Sequence, residues 1–223
     1  MRLFLLSVSE AAAPAPFRIW ASLAQRTTKH ERIVMHKGRL EAFTDGVIAI
    51  IITIMVLEMK VPQGSDFAAL WLNVPIFLAY ALSYINVAIF WNNHHHVLQA
   101  AEHVDGRALW ANLFLLFWLS LVPFVIRWMD ESEFAALPTA AYGFVLAMAA
   151  IGYLLLERTL IARNGAHSRL AQAVGRDWKS KFSLSTYGVA IGLSFLSVKL
   201  AICLYVLVAL LWFVPDRRIE KMI

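Results

Sequence analysis

Charge is scarce in this chain. Only 16% of its 223 residues are Asp, Glu, Lys or Arg, against 60% that are hydrophobic, and the mean hydropathy is +0.64. Soluble domains of ordinary composition are about one quarter charged, so a soluble enzyme or scaffold is a poor match. Cysteine is nearly absent as well: a lone Cys203 inside an apolar run excludes an intramolecular disulfide and a cysteine metal cluster. The sequence also lacks G-x-x-x-x-G-K-[ST], G-x-S-x-G, H-E-x-x-H and G-x-G-x-x-G, and with them the commonest nucleotide-binding, hydrolase and metalloprotease signatures.

What the chain has instead is long apolar runs. A helix needs roughly 20 such residues to cross a hydrocarbon layer, and the sequence predicts an all-α integral membrane bundle of six transmembrane helices. The predicted spans are Arg39–Met59, Ala68–Trp91, Leu109–Trp128, Ala140–Ile161, Phe182–Ser197 and Leu200–Val214. Phe182–Val214 reads as a hairpin, because one helix of that length would reach about 50 Å and leave Lys199 near its centre. Its two flanks are both basic, as a hairpin with its ends on one side requires.

The formal net charge of +5 does not point to nucleic acid, because the charges flank the apolar runs. With both termini cytoplasmic, seventeen of the twenty Lys and Arg fall inside, leaving Lys60, Arg127 and Lys199 outside. Such asymmetry favours an even number of spans in a plasma-membrane, multi-pass protein. Trp71, Trp91, Trp110, Trp128, Trp178 and Trp212 fall near span ends, where aromatic belts sit. Residues 1–34 form a cytoplasmic extension expected to be poorly ordered, with Met35 as an alternative start. Residues 35–216 form the membrane domain, and 217–223 a basic cytoplasmic tail.

The first span carries Thr44 and Asp45 among Ile, Val, Met and Ala, and polar groups at that depth should face protein or water. At about 100° per residue, Ile50, Ile54 and Leu57 lie near 0°, 40° and −20°, with Thr53 beside them near −60°. Asp45 lies about 140° away, pointing back into the subunit. On periodicity alone the stripe is a helix–helix seam sooner than a pore wall.

Arg39…Phe43-Thr44-Asp45-Gly46-Val47, followed by Ala49-Ile50 and Thr53, resembles the R-x-x-x-F-S-D signature of the transmembrane protein 175 family of potassium channels, in its prokaryotic branch. Trp91-Asn92-Asn93-His94-His95, Asn112 and Pro123-Phe124 resemble that branch too, so the likeness runs from about Arg39 to Asp216. Thr44 departs from the usual serine but keeps the hydroxyl. The T-V-G-Y-G filter of ordinary potassium channels is absent, which agrees with a family that lacks it.

The resemblance implies six helices per subunit with the first lining a central pore, and a homotetramer, since the chain carries one copy of the motif. It places Ile50, Ile54 and Leu57 on hydrophobic constrictions and Thr53 on a selectivity layer. Rings of apolar side chains close a pathway by dewetting, and hydroxyls replace part of an ion's hydration. Arg39, Phe43, Thr44, Asp45, Trp91, His94 and Asn112 form the implied polar network that holds the first helix to the second and third. A buried Asp45 would draw its donors from the indole, imidazole and amide. For His94 the structural role stands first and proton sensing second.

Consecutive histidines on a helix point about 100° apart, so His94, His95 and His96 do not converge on one metal. The expected function is therefore passive potassium conduction, with potassium ions, the bilayer and further copies of the chain as partners, no nucleic acid, no cofactor and no enzymatic activity. The alternative is a secondary transporter or metal-handling membrane protein using Asp45 and the His94–His96 region, although no clear repeat or broken mid-membrane helix supports it.

Overall fold

The computed structural model describes residues 37–165, 167–174 and 178–213, so the expected 1–34 extension and 217–223 tail lie outside the described residues. Within them the chain is helical, without a strand: α1 Lys37–Leu57, α2 Phe67–Leu72, α3 Val74–Ala100, α4 Gly106–Ser120, α5 Val122–Glu131, α6 Ala136–Asn164, α7 Arg169–Val174, α8 Trp178–Leu193 and α9 Val198–Phe213. Among the described residues four segments are long and apolar enough to cross a bilayer: α1, α3, α4 with α5 taken as Gly106–Glu131, and α6.

Two predicted spans are each broken near one end, and proline is the cause both times. Pro75 and Pro123 bring no N–H to the ladder, so the backbone steps at Asn73 between α2 and α3 and at Leu121 between α4 and α5. Asp66 caps α2 by accepting from the Ala69 N–H, and Asp105 caps α4 by accepting from those of Arg107 and Ala108. α3 also continues past the predicted end at Trp91 to Ala100. Asn92 to His96 end its apolar character but not its helix. Phe182–Val214 is interrupted by a turn at Ser194–Ser197, so α8 and α9 form the expected hairpin, although α8 begins and ends about one turn early.

α6 is the central post. Leu146, Ala149, Leu156 and Leu160 are fully buried on it, and α4, α5 and α8 pack around it. At Gly152 an added Cβ would lie 2.8 Å from the Leu115 Cα, so only hydrogen allows α4 and α6 to approach this closely. Gly152→Ala should lower the melting temperature in detergent by several degrees, an overpacking cost of about 1–3 kcal/mol. Gly192→Ala, with nothing within 4 Å of the new Cβ, is the matched control. Equal melting of the two variants would refute the close approach.

Polar side chains tie the remaining helices together. The Tyr205 hydroxyl donates to the Thr139 carbonyl at 3.1 Å, the Tyr142 and Ser83 hydroxyls meet at 2.9 Å, and the Trp212 indole donates to Ser183 Oγ at 2.8 Å. At the other end of α6, Asn164 Oδ1 accepts from the Glu102 and His103 N–H groups, while its Nδ2 donates to the His103 carbonyl. Lys37 Nζ donates to the Gln99 and Ala101 carbonyls, satisfying the C-terminal end of α3. The start of α1 and the end of α6 are thereby fastened to one α3–α4 turn.

Candidate pore helix and its polar anchor

α1 has two unlike faces. Leu40, Thr44, Ile48, Ile51 and Met55 are buried against the rest of the chain, recurring at three and four residues as a packed helix stripe does. Round the helix, Ile50 is 59% exposed, Ile54 40% and Leu57 76%, and Thr53 is exposed beside them. The subunit itself leaves Ile50 and Leu57 mostly uncovered and Ile54 partly so. Ile50 and Ile54 also line a cleft between α1 and the α4–α5 junction, with Val47, Ser120, Phe124 and Arg127 among its walls.

Thr53 Oγ1 donates to the Ala49 carbonyl at 2.8 Å. The hydroxyl proton is thus spent on the helix's own backbone, and the oxygen keeps its lone pairs as acceptors.

Three of the expected network residues meet in a buried chain. Asn112 Nδ2 donates to Thr44 Oγ1 at 2.9 Å, and His94 Nε2 lies 2.8 Å from Asn112 Oδ1. With the amide oriented in this way, Oδ1 needs a donor, which puts the His94 proton on Nε2. All three side chains are fully or almost fully buried, joining α1, α3 and α4 at one level.

Asp45 is not part of that chain. It is exposed, not buried as expected, and its Oδ1 accepts from the Trp91 Nε1 at 2.8 Å, with no bond to His94 or Asn112. The physical reason is angular: Asp45 sits about 100° from the middle of the buried stripe, at its edge. Phe43 is 52% exposed, and Arg39 is exposed and forms no ion pair with a described residue, so the structure leaves both outside the anchor.

A second clasp was not foreseen. Glu41 Oε1 lies 3.3 Å from His95 Nδ1, and His95 Nε2 lies 2.7 Å from Gln99 Nε2. The His95 ring stacks on Trp91 at 5.8 Å. Glu41 and Asp45 are four residues apart on α1, as are Trp91 and His95 on α3; that shared spacing was the available signal. The three consecutive histidines diverge: His94 turns into the buried chain, His95 toward Glu41, and His96 Nδ1 is buried without a hydrogen bond. Among the described residues no three His, Cys, Asp or Glu come together as a metal group.

At the other end of α1 the ties are ionic. Arg127 Nη1 lies 2.7 Å from Glu58 Oε2, Arg127 Nε lies 3.0 Å from Glu131 Oε1, and Lys60 lies 3.1 Å from Asp130.

The model of the family described as the endosomal/lysosomal potassium channel TMEM175 matches residues 39–123, the stretch that holds the stripe and its anchor. A potassium channel of Chryseobacterium sp. (strain P1-3) is 53% identical over 187 residues, 84% of this chain and 97% of that one. This chain belongs to the TMEM175 family. The crystal structure of a lysosomal potassium-selective channel TMEM175 homolog from Chamaesiphon minutus has a similar fold, with a TM-score of 0.68 at 28% identity over 82% of this chain and 98% of that one. The human endosomal/lysosomal proton channel TMEM175 is 40% identical over 84 residues, 30% of this chain and 17% of its own length. The protein is a membrane cation channel of this family and not an enzyme, which sets aside the transporter and metal-handling alternative.

Proposed function

We propose that four copies of this chain surround a central axis with α1 innermost, and that potassium passes passively along the column so formed. The observation that carries this reading is the apolar stripe of Ile50, Ile54 and Leu57, left exposed by its own subunit while the opposite face of α1 is buried. A stripe of that kind is costly beside an aqueous path unless it closes on copies of itself. In the tetramer it forms the hydrophobic constriction, with Thr53 as a hydroxyl layer between Ile50 and Ile54. Selectivity from such a layer is modest, since four hydroxyls replace only part of a hydration shell. Both termini are cytoplasmic and the channel resides in the plasma membrane. The bacterial relative carries potassium in its name, and that favours potassium over the proton named for the human one.

Reconstitution tests the reading directly. The purified protein should have a mass of four 25.1 kDa chains after the detergent contribution is removed. In liposomes under fixed voltage, with no coupling gradient, it should pass potassium. A monomer or dimer, or flux that requires a second ion gradient, would replace this account with another.

A further inference from the structure

Glu58, at the end of α1, is the first acid beyond the exposed stripe, and it lines the same cleft as Ile50 and Ile54. A free carboxylate there would concentrate cations. Glu58 is not free: Arg127 reaches it at 2.7 Å and Glu131 at 3.0 Å, bridging α1 to α5. Beside them Lys60 holds Asp130 at 3.1 Å. The cluster therefore sets three acids against two bases.

We infer that Arg127 is a positioning residue for conduction, which sets the charge at the α1 C-terminal mouth by offsetting Glu58, and so limits the local concentration of cations. This rests on the pore reading. Removing the Arg127 charge takes each cluster from one net negative charge to two, and fourfold symmetry multiplies the change. At separations of about 16 Å in water, screened at low salt over about 30 Å, each added charge contributes little, but four together raise local cation concentration roughly threefold. The Arg127 side chain is 54% exposed, so its replacement leaves the packed core untouched.

The experiment compares potassium flux in liposomes for the full-length wild type, Arg127→Gln, Arg127→Lys, Glu58→Gln and the double variant Glu58→Gln/Arg127→Gln, at about 0.01 M and about 1 M ionic strength, where the screening length falls from about 30 to about 3 Å. At low salt R127Q should raise flux roughly threefold. E58Q should lower it, R127K should match wild type and the double variant should return to near wild type. At high salt the differences should vanish.

A purely mechanical tie would behave differently. Breaking it from either side would raise flux in both R127Q and E58Q, and the rise would persist at high salt; that result overturns the inference, as does R127Q flux equal to or below wild type in correctly assembled protein. Failure of the underlying pore reading shows elsewhere, as absence of potassium flux in both the wild type and Ile50→Asn.

Discussion

Ile50→Asn should raise resting potassium flux through reconstituted channels by about tenfold, the factor that accompanies a barrier lower by about 1.4 kcal/mol. Ile50 is 59% exposed in the single chain, so its replacement removes little packing within the subunit. Around a fourfold axis, four branched side chains at one level enclose a gap too apolar to hold water, and a hydrated cation meets a barrier there. A side-chain amide of similar size lets that level wet. If Ile50 only seals one helix against another, the buried amide would instead cost stability and add no path for ions. The measurement is flux at matched protein density, taken on tetrameric variant after size-exclusion chromatography. Flux equal to or below wild type would remove Ile50 from the gate.

Asn112→Leu should be the most damaging conservative-volume change in the anchor. The wild-type amide serves two buried partners, accepting from His94 and donating to Thr44. Leucine fills the space and leaves both without a partner at a site with almost no solvent access. Interhelical hydrogen bonds in membranes average only about 0.6 kcal/mol, yet a buried group left unpaired costs about 1–3 kcal/mol, and here there are two. Set against a total stability of about 5–15 kcal/mol, the variant should give little folded protein or melt roughly 10 °C below wild type. Asp45→Asn should be milder, because the amide oxygen still accepts from the Trp91 indole at an exposed site. Melting curves of the two variants in one detergent decide the order, and an N112L melting point equal to wild type would show the buried chain to be dispensable.

The membrane class and most segments were legible because bilayer thickness imposes a length on apolar runs, and nothing soluble imposes the same one. The breaks at Asn73 and Leu121 had a signal in Pro75 and Pro123 that hydropathy ignores. Within the anchor, the need of Thr44 for a partner could be read from its depth, and Asn112 and His94 from the resemblance. Which donor went to which acceptor could not be read, because that depends on where α3 and α4 stand relative to α1. Asp45 illustrates the limit: a wheel gave its angle from the stripe, but not the edge of the buried face, so its exposure was missed. Glu41–His95 and Glu58–Arg127 join residues 54 and 69 positions apart in sequence, where side-chain reach across two helices decides the pairing.

The ties along α1 are unevenly placed, and that makes the helix a lever. Lys37, Glu41, Thr44 and Asp45 all bond to α3, α4 or the turn between them within the first nine residues, whereas from Gly46 to Leu57 the helix meets its own subunit through apolar contact, and the next tie is the exposed Glu58–Arg127 ion pair, which holds far less firmly than a buried chain of hydrogen bonds. Apolar faces slide where directed bonds resist. The fulcrum therefore lies near Asp45, and about 18 Å of helix extends beyond it to Leu57. A tilt of about 10° about that point carries Leu57 through about 3 Å but Ile50 through only about 1 Å. In the proposed tetramer, small rotations would therefore widen the level of Leu57 while the level of Ile50 changed its bore little.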